Sequence, residues 1–260
     1  MKKNNKNTQI NGQEVGQILE INVLSTNIKE VLARVEGFIS CNTKFYIVTP
    51  NPEIILMAQE DKKLKEAMNG TELAIPDGVG LKFAVPGLQI IKGRELFSEL
   101  IKLAVKKNWK VFLLGGLGDE AKMALSKLQI SYPKLQIQSF RGPKLDQNTE
   151  PSTEIDKKLL MEAIEKINKF APQLLFVAFG NPKQEIWVHE NYSKLSIGGT
   201  MAVGGAFRYV AGLSKLPPKW MANIGLEWLW RLICEPNRIG RIWNAVIIFP
   251  LKVMLFKILG

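Results

Sequence analysis

The sequence is short of histidine, cysteine and acidic residues, and each shortage excludes a kind of chemistry. The only histidine is His189, so no convincing Ser-His-Asp or Cys-His catalytic arrangement can be assembled. We expect His189 to be an ordinary surface or interface residue. Two cysteines, Cys41 and Cys234, are too few for a disulfide framework or a cysteine metal site, which makes a reducing cytosol the default. No Asp-x-Asp pair occurs, so no metal site of paired carboxylates is expected.

Acidic residues are outnumbered by basic ones, 24 against 35, and the formal net charge is +11. This excess favours polyanionic partners, which can be nucleic acid, anionic lipid headgroups or phosphorylated substrates. The first residues include Lys2, Lys3 and Lys6, but no apolar run follows them. We therefore predict a flexible basic segment over residues 1–18 rather than a signal peptide.

Short apolar runs alternate with longer stretches of helical periodicity through the middle of the chain. This alternation predicts an α/β fold, a mostly parallel sheet with helices on both faces, over residues 19–213. The predicted strands are Phe45–Val48, Glu72–Ile75, Lys110–Leu114, Leu135–Phe140, Leu174–Phe179 and Thr200–Val203. The clearest predicted helices are Pro52–Met68, with Asn51 as its N-cap, Leu96–Lys107 and Glu154–Phe170.

Glycines and polar residues follow five of these strands. In open parallel sheets ligands bind outside the carboxyl ends of the strands, so these five ends are the predicted binding edge. The sequences are Thr49-Pro50-Asn51-Pro52-Glu53, Pro76-Asp77-Gly78-Val79-Gly80, Gly115-Gly116-Leu117-Gly118-Asp119, Gly180-Asn181-Pro182-Lys183-Gln184-Glu185 and Gly204-Gly205.

Asp77 is the best single candidate for a general base, because it follows a strand directly and is flanked by Pro76 and Gly78. The simpler alternative is an ordinary Asp-Gly turn. Thr49 and Asn51 can present a hydroxyl and an amide to the same pocket, although Asn51 also suits a helix cap.

Two glycine-containing strings are candidates for holding phosphates. Gly115 and Gly116 are followed by a helix but lack the spacing of a dinucleotide fingerprint, and a plain turn is the alternative. The string Gly180–Glu185 opens a helix whose N-terminus favours an anion, against the alternative of a polar helix start.

The last part of the chain, residues 214–260, combines basic, aromatic and apolar residues. Arg231, Arg238 and Arg241 can bind phosphate oxygens bidentately. The apolar tail Ile242–Gly260 is long enough to span a membrane, but Pro250 and two lysines favour a helix lying in the membrane surface. A core or oligomer helix is the alternative. Together these features suggest a substrate that is both phosphorylated and lipid-borne.

These strings together resemble the WecG/TagA/CpsF glycosyltransferase family. The resemblance runs in order from about residue 20 to residue 245. It rests on the strings at Thr49, Asp77 and Gly180 given above, and on Phe112-Leu113-Leu114-Gly115-Gly116, Val203-Gly204-Gly205-Ala206-Phe207, Gly225-Leu226-Glu227-Trp228 through Arg231, Glu235-Pro236 and Arg238.

The resemblance implies a Rossmann-like, inverting enzyme, and the absence of an Asp-x-Asp pair adds the expectation that it uses no metal ion or other cofactor. It would move an N-acetylmannosamine-type sugar from a UDP-sugar donor to a polyprenyl-diphosphate-linked N-acetylglucosamine acceptor at the cytoplasmic face of an anionic membrane. By the same resemblance Asp77 is the base, Thr49 supports it, Gln184 lies in the substrate site, and the C-terminal arginines form an appendage that closes over the site. Surface polysaccharide or teichoic acid synthesis is the implied setting.

Three positions depart from the family's usual pattern. Arg208 stands where an aspartate is common, Gln89-Ile90-Ile91-Lys92 lacks an arginine, and Lys215-Leu216-Pro217 replaces Arg-Ala-Pro. Arg208 reverses a charge near the expected nucleotide pocket, so another UDP-hexose donor, or an inactive scaffold that binds UDP-sugars, remains an alternative. Nucleic-acid binding is suggested by the net charge alone and is not expected. A homo-oligomer can form where no membrane covers the tail.

Overall fold

The computed structural model describes residues 8–10 and 13–259 and contains a six-stranded, entirely parallel sheet. The strand order is β5-β4-β9-β8-β6-β7. These strands are β4 (Phe45–Val48), β5 (Leu73–Ala74), β6 (Val111–Gly115), β7 (Ile137–Phe140), β8 (Leu174–Ala178) and β9 (Gly199–Ala202). The predicted α/β class is confirmed.

Helices cover both faces of this sheet. In the body of the fold they are α1 (Ile28–Ser40), α2 (Pro52–Met57), α3 (Lys62–Asn69), α4 (Leu81–Ala84), α5 (Gly93–Lys107), α6 (Glu120–Ser131), α7 (Glu154–Phe170), α8 (Lys183–Asn191) and α9 (Ala206–Val210). In the C-terminal part they are α10 (Lys219–Asn223), α11 (Glu227–Cys234), α12 (Ile239–Trp243) and α13 (Phe249–Leu259).

The strands alternate their side chains between two apolar layers. On β6, Val111 and Leu113 pack with α1, α5 and α6, whereas Phe112 and Leu114 pack with α7 and α8. Because both faces are covered, the central strands are buried throughout, as expected for a parallel sheet. This packing fixes the strand ends that carry the predicted site.

A second, antiparallel sheet precedes the parallel one and was not predicted. It comprises β1 (Thr8–Ile10), β2 (Gln13–Ile18) and β3 (Ile21–Leu24). The prediction of a flexible segment over residues 1–18 is therefore corrected for β2, whose Ile18 is buried with residues of α2 and α3. Lys2, Lys3 and Lys6 lie outside the described residues.

The helix predicted over Pro52–Met68 is two helices, α2 and α3. A new N-cap causes the break, because the Asp61 carboxylate accepts a hydrogen bond from the Leu64 N–H at 3.0 Å. The cap predicted at Asn51 is confirmed, since its side-chain oxygen accepts from the Ile54 N–H at 3.1 Å.

The apolar tail continues as a helix through Pro250. A π-helical turn, Asn244–Ile248, links α12 to α13, and a turn of this kind accommodates a proline that cannot donate a backbone hydrogen bond. Pro236–Leu259 is long and apolar enough, by length and composition, to cross a membrane. Of its most apolar stretch of 18 residues, 11% is buried against the rest of the protein. Phe249 and Val253 are buried against α2 and α4, while Leu251 and Leu255 are exposed.

Candidate active site

The five predicted loops lie at one edge of the sheet, because they follow five adjacent strands in the order β5-β4-β9-β8-β6. Backbone hydrogen bonds join neighbouring ends. The Asp77 N–H donates to the Pro50 carbonyl at 2.7 Å, and the Gly116 N–H donates to the Ala178 carbonyl at 2.8 Å. The edge therefore consists of connected loops, and the predicted residues divide into groups along it.

Asp77 and Thr49 come together at Gly93, the first residue of α5. The Asp77 Oδ2 accepts a hydrogen bond from the Gly93 N–H at 3.1 Å. A Cβ atom added at Gly93 would lie 3.2 Å from the Thr49 Oγ1 and 3.3 Å from the Asp77 Oδ2. The hydroxyl and the carboxylate therefore approach the same helix terminus, and glycine leaves room for both.

The environment of Asp77 suits a proton acceptor. Burial raises the pKa of its carboxyl group, and the Gly93 hydrogen bond and the positive charges of Arg231 and Arg94 oppose that rise. A raised pKa makes a carboxylate a stronger base, while the nearby cations keep its ionised form accessible.

Asn51 is the third predicted member of this group, and its side-chain oxygen is occupied by the cap of α2. The neighbouring Glu53 contacts the Arg241 Nε, so α12 is tied to the same loop. Arg241 therefore lies at the edge of the site, where it is paired with the Glu53 carboxylate.

Gly115 and Gly116 form a tight turn after β6. A Cβ at Gly115, whose φ is +96°, would lie 2.9 Å from the Ala178 carbonyl oxygen. Glu120 closes the turn, because its Oε2 accepts from the Leu117 N–H at 2.9 Å. The other oxygen, Oε1, lies 3.4 Å from the Arg208 Nε. Arg208 therefore balances the charge of a carboxylate beside this turn.

Gln184 is buried, with 2% of its surface exposed, and its amide joins the loops that follow β8 and β9. Its Nε2 donates to the Asn181 Oδ1 at 2.9 Å and to the Glu185 Oε1 at 2.8 Å. Its Oε1 accepts from the Gly204 N–H at 3.0 Å. Both amide hydrogens are used within the protein, so Gln184 holds the ends of β8 and β9 together.

Its neighbours in this string are also engaged. Glu185 is buried, and burial raises the pKa of its carboxyl group to about 7. Lys183 donates from Nζ to the Leu145 carbonyl at 2.6 Å. The Asn181–Pro182 peptide is cis. Gly180, Gly204 and Gly205 have backbone that a ligand at this edge can approach, since none carries a side chain.

The three predicted arginines differ in their partners. Arg238 contacts Glu235, and Arg241 contacts Glu53. Arg231 is exposed, and within the described ranges its side chain makes no ion pair. Its guanidinium lies 5.8 Å from the centre of the Tyr209 ring. Of the three, Arg231 is the cation most available to a bound anion.

Sequence reasoning missed a charged cluster beside Gly93. Glu227, the first residue of α11, receives two hydrogen bonds from Arg94 and a contact from Lys92. The signal in the sequence was the pair of cations, Lys92 and Arg94, that flank Gly93. Their partner is 133 residues away in sequence from Arg94, so spacing alone could not identify it.

Comparisons with known proteins identify the family of this chain. The profile of the family described as "Glycosyl transferase WecG/TagA/CpsF family" matches residues 16–259. An N-acetylglucosaminyldiphosphoundecaprenol N-acetyl-beta-D-mannosaminyltransferase from Bacillus subtilis is 30% identical over 237 residues, 86% of each chain. A protein of the same name from Staphylococcus aureus is 29% identical over 249 residues, 92% of each chain. The chain therefore belongs to the WecG/TagA/CpsF family and is a glycosyltransferase.

Proposed function

We propose that this protein transfers an N-acetylmannosamine-type sugar from a UDP-sugar to a polyprenyl-diphosphate-linked N-acetylglucosamine. The printed names of its relatives in B. subtilis and S. aureus support this choice of sugar and acceptor. The single observation that carries the proposal is the geometry at Gly93, where Asp77 and Thr49 meet at the start of α5 and the charge of Arg231 lowers the pKa of Asp77.

The proposed reaction gives each of these groups a separate role. Asp77 takes the proton of the acceptor hydroxyl, and the oxygen forms a bond to the anomeric carbon as the bond to UDP breaks. Attack on the face opposite the leaving group inverts that carbon. UDP departs as a diphosphate anion, so it needs positive charge more than a proton, and Arg231 supplies that charge. No step requires a metal ion.

The remaining loops hold the donor in this proposal. The turn at Gly115 and Gly116 and the backbone at Gly180 and Gly204 allow close approach of a nucleotide. Gln184 acts indirectly, because its amide is fully engaged in joining the loops. Arg208 need not exclude a donor, since Glu120 offsets its charge.

We also propose that the protein acts at the cytoplasmic face of the membrane, where a polyprenyl acceptor is found. The observation in support is the tail, whose exposed side includes Leu251, Met254, Leu255 and Phe256. Lys252 and Lys257 on the same helix contact Glu60 and the Ala84 carbonyl of the body, so the apolar side chains are the surface left for lipid.

A panel of UDP-sugars tests the choice of donor. Each would be incubated with a short-chain lipid-diphosphate N-acetylglucosamine in detergent, with and without EDTA, and release of UDP would be measured. Acceptor-dependent release from UDP-N-acetylmannosamine that survives EDTA supports the proposal. Release from another UDP-hexose alone would show that this other sugar nucleotide is the donor. Binding of UDP-sugars without turnover of any would favour the inactive scaffold suggested by Arg208.

A further inference from the structure

Glu227 connects the C-terminal helices to the segment that supports Asp77. The Arg94 Nη1 lies 2.8 Å from the Glu227 Oε2, and the Arg94 Nη2 lies 2.9 Å from the Glu227 Oε1. Lys92 contacts the same carboxylate. The side chains of Arg94 and Glu227 are each 20% exposed. A two-point, largely buried contact of this kind is stronger and more directional than an exposed ion pair.

The same contact determines where Arg231 lies. Arg231 follows Glu227 by four residues on α11, so the two side chains leave the same side of the helix. Tyr209 is shared by both arginines, with the Arg94 and Arg231 guanidinium carbons 5.9 Å and 5.8 Å from its ring centre. The orientation of α11 at Glu227 therefore sets the orientation of Arg231.

The contact also reaches the base. Gly93 lies between Lys92 and Arg94, and its N–H is the donor to Asp77. One end of the Glu227 cluster (Lys92, Arg94 and Glu227) thus adjoins the Asp77 carboxylate, and the other end adjoins Arg231. The pair of Lys252 on the apolar tail with Glu60 on the body is distant in sequence from Asp77 and Arg231, and its Glu60 side chain is 82% exposed.

We propose that Glu227 is a positioning residue that docks α11 so that Arg231 faces the donor diphosphate across from Asp77. The inference rests on the proposed function for the identity of that diphosphate. If Glu227 positions Arg231, loss of Glu227 should weaken the binding of UDP. Its charge alone predicts the opposite, because a negative charge near the site should weaken the binding of an anion and its removal should strengthen it. Loss of Glu227 separates the two effects, since they have opposite signs.

The test uses the full chain and four variants: Glu227→Gln, Arg231→Gln, the double variant and Glu60→Gln as the matched control. Hydrogen exchange of α11 and the dissociation constant for UDP would be measured for each. We expect faster exchange in α11 and about tenfold weaker UDP binding for Glu227→Gln, the loss that one charge-assisted hydrogen bond provides. The double variant should bind UDP no more weakly than Arg231→Gln alone, because Glu227 acts through Arg231. Glu60→Gln should match the wild type in both measurements.

Unchanged exchange in α11, or tighter UDP binding by Glu227→Gln, would overturn the proposal. So would losses that add in the double variant, because Glu227 would then act independently of Arg231. A wild-type protein that binds UDP and shows the expected pattern, yet transfers no sugar, would leave the role of Glu227 standing and contradict the proposed function. A wild-type protein that binds no UDP would contradict both.

Discussion

The Asp77 carboxylate accepts a hydrogen bond from the Gly93 N–H, with 3.1 Å between Oδ2 and the nitrogen. Gly93 opens α5, so the carboxylate sits at the positive end of a helix of 15 residues. In the proposed reaction this placement orients Asp77 as the base and leaves its other oxygen for a substrate hydroxyl. The size of residue 93 and the charges around Asp77 should therefore control the rate of transfer.

Gly93→Ala should lower the kcat of sugar transfer about tenfold, because the new Cβ would press on both Thr49 and Asp77 and a small displacement of a catalytic group is costly. Gly37→Ala is the matched control, since a Cβ at this exposed position in α1 would meet nothing within 4 Å. That control should keep its kcat and gain about 1 kcal/mol in free energy of unfolding. Equal kcat for Gly93→Ala and wild type would show that the contact with Asp77 is unimportant.

Arg231→Gln should move the acid limb of the kcat–pH profile to higher pH. The positive charge of Arg231 lowers the pKa of Asp77, so its removal raises that pKa and the base stays protonated over a wider range. Profiles of the two proteins would be compared at saturating substrate. Lys166→Gln, which removes a positive charge from α7 instead, should leave the limb in place. A limb that does not move in Arg231→Gln would mean that another group is the base.

Glu185→Gln should stabilise the protein above neutral pH. The pKa of Glu185 is about 7 in the folded protein, against an ordinary value of 4.5, so folding favours its protonated form. Below the lower value both states are protonated and there is no effect. Between the two values the unfolded chain ionises first, and stability falls as pH rises. Above the upper value the loss is complete, at about 3 kcal/mol.

Urea unfolding of the wild type and Glu185→Gln at about pH 5 and about pH 8 measures this effect. The wild type should lose more stability than the variant between the two conditions. The Gln184 amide can still donate to the new side-chain oxygen, so the loops should stay joined. An equal pH dependence in the two proteins would show that Glu185 is solvated.

Arg208→Gln should weaken the binding of UDP about tenfold, because Glu120 would then carry an uncompensated negative charge beside the Gly116 turn. Titration calorimetry with UDP measures the change. Glu120 supports the turn itself, so Arg208 is the better residue to replace. Equal or tighter binding by the variant would place the diphosphate away from this turn.

Leu251→Glu combined with Leu255→Glu should reduce binding to vesicles that contain anionic lipid by at least about tenfold, since each leucine inserted into lipid contributes about 1.5–3 kcal/mol. Co-sedimentation measures this binding. Ile130→Glu on α6 is the control, because its side chain is also exposed. Equal losses in the two variants would exclude a specific membrane face. Binding to DNA but not to vesicles would contradict the proposed location.

The strand ends could be predicted from local sequence, because apolar runs form the buried strands and the glycine and polar residues directly after them form the loops. The break at Asp61 was missed because Pro52–Met68 keeps a helical pattern of apolar residues across two helices. The role of Gln184 could not be predicted, since its polar side chain suits a ligand as well as a buried network. The pairing of Glu227 with Arg94 depends on how α11 docks against the start of α5, and no local pattern encodes such a contact.

The most direct test of the central claim is UDP release by the wild type and by Asp77→Asn, measured with UDP-N-acetylmannosamine and the lipid-diphosphate acceptor. Asparagine keeps the size of the side chain, and its oxygen can still accept from Gly93, so folding should be preserved. Our account predicts acceptor-dependent release by the wild type and a loss of at least about a hundredfold in the variant. Release by Asp77→Asn at the wild-type rate would contradict the assignment of Asp77 as the base.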